Sequence, residues 1–193
     1  MEKKRMEVTK IKAKIEGLSD IMFDRFIDYS KEIRPPEQKL YLIEDNQVVL
    51  PAENIYFFLF GENPAGCAKS FEGAQGKKKY IPMGMSHVFI DPFAIPFTEK
   101  NKPILFENFD GKFRIWLTAP RTKKSSLSIK QEAKPRPFLK LPWALEFNLT
   151  IIKNQVIDET KLYNWFVQGG IQIGIGTYRP RFGRFAVVEW KEI

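Results

Sequence analysis

Apolar and polar residues alternate along two stretches of the chain, and this pattern predicts two β-strands. Residues 6–15 alternate over ten positions, and residues 143–152 alternate nearly as well. Alternation puts apolar side chains on one face of a strand and polar side chains on the other, so each strand is expected to cover a core with one face. Gly17 is expected to end the first strand.

Helical spacing predicts a helix over residues 52–60. Pro51 suits the start of a helix because it lacks the amide hydrogen that the first turn leaves unused, and Gly61 suits the end. The buried side of this helix is expected to consist of Ile55, Phe58 and Leu59.

A second helix is predicted over residues 158–168. Asp158 is a suitable N-cap, and Gly169 is expected to stop the helix. The apolar face consists of Leu162, Trp165 and Phe166. A glycine-rich stretch follows, and residues 186–190 then form a short apolar strand.

Weaker patterns predict the remaining elements. Residues 21–29 are interpreted as a short amphipathic helix, and Asp20, Asp24 and Asp28 recur on it as a solvated acidic face or, less favoured, a metal site. The other predicted elements are a hairpin over 39–50, a loop over 61–84, a strand over 86–90 and a hairpin over 103–117 around Asp110-Gly111.

These elements predict an α+β fold with a ferredoxin-like, RRM-like βαββαβ core in which two helices cover one face of a sheet. We expect residues 1–193 to form a single RRM-like domain with insertions at about 61–85 and 120–140. The second insertion is polar, basic and rich in proline, so it is either a flexible arm or a long inserted hairpin.

Candidate chemistry concentrates in residues 169–185, which contain five glycines, three arginines and three aromatic residues, and no acid. Glycine permits close approach of a backbone or a phosphate, and successive exposed N–H groups bind anions. Arginine binds phosphate in a bidentate manner, and aromatic rings stack on bases. The stretch matches neither GxGxxG nor the P-loop. The competing interpretation is a tight turn with solvated arginines.

Positive charge is localised in the sequence, as expected of a nucleic-acid-binding protein. The net charge is +8, but residues 120–140 carry +6, residues 66–80 carry +3 and residues 169–185 carry +3, which leaves −4 for the rest. The candidate nucleic-acid-binding residues are Lys77, Lys78, Lys79, Arg121, Lys123, Lys124, Arg136, Gly174, Gly176, Tyr178, Arg179, Arg181 and Arg184, with Tyr80 and Phe182 as further stacking candidates.

Most catalytic and metal sites are excluded by composition. With one histidine and one cysteine the chain has no Cys/His zinc site, and neither GxSxG nor HExxH occurs. A nucleophilic pair of Cys67 and His87 is less favoured than a buried thiol and an incidental histidine. No cofactor is expected. A single cysteine indicates a reducing compartment, and the lack of a signal peptide or a long apolar run predicts a cytoplasmic protein without a membrane partner.

The C-terminal residues resemble the RAMP superfamily, the RNA-binding proteins of CRISPR systems, and especially the subunits that line up along the guide RNA. The matching residues are Gly174, Gly176, Gly183, Arg184 and Phe185, which follow a helix as in that family. The resemblance covers residues 143–193. Pro180 departs from it, because family loops are richer in glycine and serine at this point.

The resemblance implies a non-catalytic protein of antiviral defence that binds single-stranded or guide RNA and contacts other protein subunits or further copies of itself. It implies that Gly174, Gly176, Arg179, Arg181 and Arg184 contact RNA phosphates or support residues that do. RNA and DNA stay open as alternatives.

Two alternative functions belong to other classes. The first is a metal-independent CRISPR-repeat endoribonuclease that uses His87 as general acid or base, with Lys78, Lys79 or Tyr80 nearby in sequence. The second is a structural or assembly protein whose basic arms and phenylalanines contact other proteins.

Overall fold

The structure is a computed structural model that describes residues 7–25, 34–118 and 134–193. The strands are β1 (Val8–Gly17), β2 (Ile21–Met22), β3 (Val49–Pro51), β4 (Val88–Asp91), β5 (Ala94–Glu99), β6 (Lys102–Pro103), β7 (Phe113–Thr118), β8 (Lys134–Leu139), β9 (Ala144–Ile152) and β10 (Phe185–Glu192). The helices are α1 (Ala52–Phe60), α2 (Cys67–Phe71), α3 (Gly73–Gln75), α4 (Ile81–His87) and α5 (Glu159–Gln172), with a π-helical turn at Gly76–Tyr80 and 3₁₀ turns at Pro36–Lys39 and Glu44–Asn46.

The predicted ferredoxin-like core is present. In chain order it consists of β1, α1, β4, β9, α5 and β10, and the strands lie in the order β10-β1-β9-β4. Every neighbouring pair in this sheet is antiparallel, which is the arrangement that a βαββαβ chain requires. β5 continues along the same edge of β9 beyond β4. The α+β prediction is therefore confirmed.

The alternation in β1 and β9 produces a sheet with one buried and one solvated face. In β1 the side chains of Ile11, Ala13 and Ile15 are buried, whereas Lys10 and Lys12 lie on the opposite face. Both predicted strands are confirmed, and Gly17 is the last residue of β1.

An aromatic core fills the space between the sheet and the two long helices. Phe58 of α1 lies 5.3 Å from Phe166 of α5 and 5.2 Å from Phe185 of β10, measured between ring centroids. Phe147 of β9 lies 5.8 Å from Phe166. Burying a side chain of this size contributes about 1.5–3 kcal/mol, so these rings fix the position of α1, α5 and β10 relative to one another.

Helix α5 is longer than predicted, because Gly169 does not stop it. Asp158 caps the helix as expected, its carboxylate accepting a hydrogen bond from the amide of Lys161 at 2.7 Å, but the helix continues to Gln172. A Cβ on Gly169 would lie 2.5 Å from the Cys67 sulfur, and one on Gly170 would lie 2.6 Å from the Phe185 carbonyl oxygen. These glycines therefore permit close packing inside the helix.

The predicted loop over 61–84 is wrong, because the segment is largely helical. It contains α2, α3, the π-helical turn and most of α4, so the strand predicted from residue 86 begins only at Val88. Cys67 and Ala68 are fully buried, and Glu72 accepts hydrogen bonds from Lys161 at 2.9 Å and Trp165 at 3.2 Å. Contacts with α5 therefore organise a segment whose glycines favour a loop.

Two further predictions, one of a helix and one of a hairpin, are also wrong. Residues 21–29 were predicted as a helix, but Ile21 and Met22 form a strand that pairs with β8; residues 26–29 lie outside the described residues. The 103–117 hairpin is absent, since β6 pairs with β5 while β7 pairs with β8. In the second predicted insertion, residues 134–139 form β8, which pairs with β7. Residues 119–133 lie outside the described residues.

The hairpin predicted over 39–50 reduces to one isolated antiparallel pair, Leu42 with Val48, around the 3₁₀ turn at Glu44–Asn46. Helix α1 agrees with its prediction, including the buried side chains of Ile55, Phe58 and Leu59. In the described parts of the chain, no helix combines the length and the apolar character that crossing a membrane requires.

Candidate nucleic-acid interface

Residues 173–184, the C-terminal loop, connect α5 to β10 and lie against the end of β1 and against β2. The Thr177 amide donates to the Met22 carbonyl at 3.0 Å, and the Gly183 amide donates to the Asp20 carbonyl at 2.8 Å. Inside the loop, the Ile175 amide donates to the Gly183 carbonyl at 2.9 Å. These bonds hold the loop as a defined structure.

The expectation that glycines here leave a row of N–H groups open to anions is wrong for much of the loop. The amides of Gly174, Ile175, Thr177, Gly183 and Arg184 all donate to acceptors within the protein. Gly183 has φ +77°, and a Cβ there would lie 1.8 Å from the Ile175 carbonyl oxygen. The glycines fold the loop tightly onto itself, so anion binding depends on its side chains.

The three loop arginines differ in their surroundings. Arg181 and Arg184 are exposed, and the Arg181 guanidinium lies 5.0 Å from the centre of the Trp116 ring. Arg179 is half-buried and donates to the Gly174 carbonyl at 3.2 Å. Burial lowers the pKa of Arg179, although the nearby Cys67 opposes this shift. Within residues 7–25, 34–118 and 134–193, none of the three forms a salt bridge with a carboxylate.

Arg179 lies in a cleft of about 520 Å³ between the C-terminal loop and the end of α1. We call this the loop cleft. Its described lining contains two arginines, two aromatic rings and two asparagines, but no acid. The lining residues are Asn54, Phe57, Asn63, Pro64, Arg136, Gly176, Thr177, Tyr178 and Arg179.

Charge distinguishes the loop cleft from a slightly larger one of about 570 Å³ at the other end of β1. That second cleft is lined by Glu7, Asp158 and Glu159, with Lys153 as its one described cation. A polyanion would meet three carboxylates there, whereas the loop cleft presents it with arginines. The loop cleft is therefore the better anion site despite its smaller volume.

A second group of rings adjoins the loop cleft through Tyr178. Tyr178 is 42% exposed and lies 6.4 Å from the ring of Phe182. Phe182 is only 7% exposed and packs 5.9 Å from both Trp116 and Phe138. Phe182, predicted as a stacking residue, therefore supports its neighbours, while Tyr178 and the partly exposed Trp116 offer their rings to solvent.

Arg136 is positioned by Asp24, which the sequence analysis assigned to a solvated acidic face or, less favoured, a metal site. Its guanidinium donates to Asp24 at 2.9 Å, and Lys134 lies 3.5 Å from the same carboxylate. The Asp20 carboxylate instead accepts from the Leu141 amide at 3.0 Å. Asp28 lies outside the described residues, and among those described no cluster of three or more His, Cys, Asp or Glu side chains is arranged to hold a metal ion.

Lys77, Lys78 and Lys79 are exposed on the π-helical turn and do not line the loop cleft. Lys77 forms a 2.9 Å salt bridge with Glu62, which directly precedes Asn63 of the cleft. Tyr80 packs 5.8 Å from Trp165, with the Lys161 ammonium 4.9 Å from its ring. Tyr80 is thus a packed residue instead of an open stacking surface.

Three candidate residues of the basic insertion, Arg121, Lys123 and Lys124, lie outside the described residues. Five residues of the loop cleft were not among the predicted site residues: Asn54, Phe57, Asn63, Pro64 and Thr177. In the helical spacing of α1, Phe57 falls on the side opposite the buried face, and an apolar residue there is a weak indication of a binding role. Only the fold shows that this side lies next to the C-terminal loop.

His87 lies far from the C-terminal loop. It precedes Val88, which pairs with Ile151, which in turn pairs with Thr9 near the start of β1. The loop joins the other end of β1 at Gly17, eight residues away and therefore about 27 Å along the strand. The Nδ1 atom of His87 lies 2.7 Å from the Ser86 hydroxyl oxygen.

Cys67 is not brought together with His87. It is the first residue of α2, is fully buried, and its thiol donates to the Trp165 carbonyl of α5 at 3.6 Å. Burial raises the pKa of the thiol, so it is protonated at neutral pH and a poor nucleophile.

Comparison with solved structures finds a similar fold in a chain of the cryo-EM structure of a type III-B Cmr-beta complex bound to cognate target RNA. The TM-score is 0.57 at 12% sequence identity, and the match covers 97% of this chain and 61% of that chain. The likeness is one of fold. With 61% of that chain covered, this chain spans less than two thirds of the length of the chain that it matches. No protein-family model matches the sequence, and no curated protein matches it.

Proposed function

We propose that the protein binds the sugar-phosphate backbone of single-stranded RNA, including guide RNA, as a non-catalytic subunit of the RAMP type. The observation that carries this proposal is the loop cleft, where Arg179 lies beside the exposed rings of Phe57 and Tyr178 and no described lining residue is acidic. The second arginine of the lining, Arg136, is already paired with Asp24. Phosphate requires cations and donors, and bases require apolar faces; the cleft has both.

The exposed arginines extend the proposed contact beyond the cleft. Arg181, stacked on Trp116, and Arg184, next to Ser19, follow Arg179 on the same loop. A strand of nucleotides has a charge at every step, so a line of cations suits it better than it suits a small anion. Gly174 and Gly176 would support this surface by allowing the tight loop.

The comparison adds support for RNA over DNA, because the similar chain comes from a complex bound to target RNA. A subunit of that type would work in the cytoplasm beside other protein subunits, as part of antiviral defence. Lys77, Lys78 and Lys79 and the basic insertion with Arg121, Lys123 and Lys124 would extend the RNA contact. The position of His87 far from the loop gives no support to an endoribonuclease built around both.

Replacing Arg179, Arg181 and Arg184 together by alanine is expected to weaken RNA binding to a similar degree on all sequences. With about six phosphates neutralised, log K against log salt should have a slope near −4 in the wild type, and the triple variant should be shallower by about 2. Fluorescence anisotropy of labelled single-stranded RNA across a salt series measures both quantities.

The matched control replaces Lys10, Lys102 and Lys191, which are exposed, by alanine and so removes the same charge. It is expected to retain most of the wild-type slope, because these lysines lie outside the loop cleft. If both triple variants change the slope equally, binding is a general effect of net charge, and the proposed interface is refuted.

A further inference from the structure

An exposed phenylalanine on α1 has no role in the core. Ile55, Phe58 and Leu59 of the same helix are fully buried, whereas Phe57 is 64% exposed and lines the loop cleft. Leaving a ring of this size in water forfeits the free energy that its burial would contribute. A ligand face that packs on Phe57 would account for its position.

Tyr178 supplies a second ring at the same cleft, on a strained backbone. Its φ is +61°, which lies in the left-handed region that bulky side chains rarely occupy. The Thr177 amide is bonded to the Met22 carbonyl, and the Tyr178 carbonyl accepts from Phe182 at 3.4 Å, so neighbouring bonds hold this conformation. Strain of this kind concentrates where a side chain must be positioned for function.

The polar groups of the cleft match the remaining parts of a nucleotide. Within the described residues Arg179 makes one hydrogen bond, to the Gly174 carbonyl, although a guanidinium carries five N–H donors. Its other donors suit a phosphate. Asn63 is exposed at the cleft, and its amide offers both a donor and an acceptor to a base edge.

We propose that the loop cleft holds one unstacked nucleotide, with its base on the Phe57 ring beside Tyr178 and its phosphate on Arg179. This rests on the proposed RNA-binding function and deepens it, because it adds a base pocket to a backbone contact. A volume of about 520 Å³ lies within the ordinary range for small-ligand sites. A base in a duplex has both faces stacked, so the pocket selects unpaired strands.

The test compares two strands of equal length and charge, a short oligoadenylate RNA and the same strand with every base replaced by an abasic ribose. Wild-type protein is expected to bind the base-containing strand about 10-fold or more tightly than the abasic strand. Phe57→Ala should weaken binding of oligoadenylate by about 5-fold or more and leave abasic binding unchanged. Phe57→Trp should retain the preference, because the larger ring still stacks.

Phe89→Ala is the matched control, since Phe89 is also partly exposed but lies on β4, on the face of the sheet opposite the buried Val88 and Ile90. It should change neither affinity. A wild type that binds both strands equally, or a Phe57→Ala variant that weakens both equally, refutes the base pocket while leaving backbone binding intact. Absence of binding to either strand refutes both proposals. Thermal melting confirms that each variant is folded.

Discussion

At the scale of single residues, the glycines of the C-terminal loop allow backbone atoms to approach one another closely. A Cβ on Gly183 would overlap the Ile175 carbonyl oxygen at 1.8 Å, and one on Gly176 would lie 2.9 Å from the Met22 carbonyl oxygen. The loop can therefore fold tightly against β2 and present Arg179 and Tyr178 at the cleft.

A series of three glycine-to-alanine substitutions separates backbone strain from collision. Gly111 has ordinary φ and open space, so Gly111→Ala should change stability by less than about 0.5 kcal/mol. Gly73 has φ +57° and open space, so Gly73→Ala should cost about 1 kcal/mol. Gly183→Ala adds a backbone collision and should cost about 3 kcal/mol or more. Urea unfolding of the three variants tests this order, and equal effects would contradict it.

At the scale of elements, the local patterns predicted what local forces determine. The alternation in β1 and β9 and the helical spacing in α1 and α5 identified these elements because each buries one face. β2 was missed because its partner, β8, lies more than a hundred residues away in the chain. In the same way, Arg179 and Tyr178 were visible in the composition of the loop, but the role of Phe57 depends on α1 lying beside it.

The helical segment that replaces the predicted loop depends on one carboxylate. Glu72 lies between α2 and α3 and binds Lys161 and Trp165 of α5. Burial alone would raise the pKa of Glu72, but the hydrogen bonds from Lys161 and Trp165 outweigh it, so the pKa lies below its usual value. A lowered pKa means that this carboxylate stabilises the fold above its usual pKa of about 4.3 and loses that effect as pH falls through the lowered value.

Glu72→Gln is therefore expected to lower the free energy of unfolding by about 1 kcal/mol at pH 7, and the difference from wild type should shrink as pH falls below about 4. Urea unfolding at both pH values measures the change. Glu107→Gln, at an exposed position, is the control and should have little effect at either pH. A difference from wild type that does not depend on pH would contradict the assignment of this carboxylate.

At the scale of the whole molecule, the two ends of β1 have different chemistry. The end near Thr9 adjoins Glu7, Asp158 and Glu159, while the end at Gly17 adjoins the C-terminal loop with its three arginines. On the open face of the sheet, Lys12 pairs with Glu146 at 2.9 Å, so basic and acidic side chains offset each other there. The sequence showed that positive charge is localised, and the fold directs the part carried by the C-terminal loop to one end of the sheet.

Ultraviolet cross-linking of single-stranded RNA to the intact protein, followed by mass spectrometry of the linked peptides, tests the proposed interface most directly. Cross-links are expected on peptides that contain Phe57, Tyr178 or Trp116, because these exposed rings surround the loop arginines. Cross-links confined to peptides at the other end of the sheet or on its open face, such as one that contains Phe89, would contradict the account.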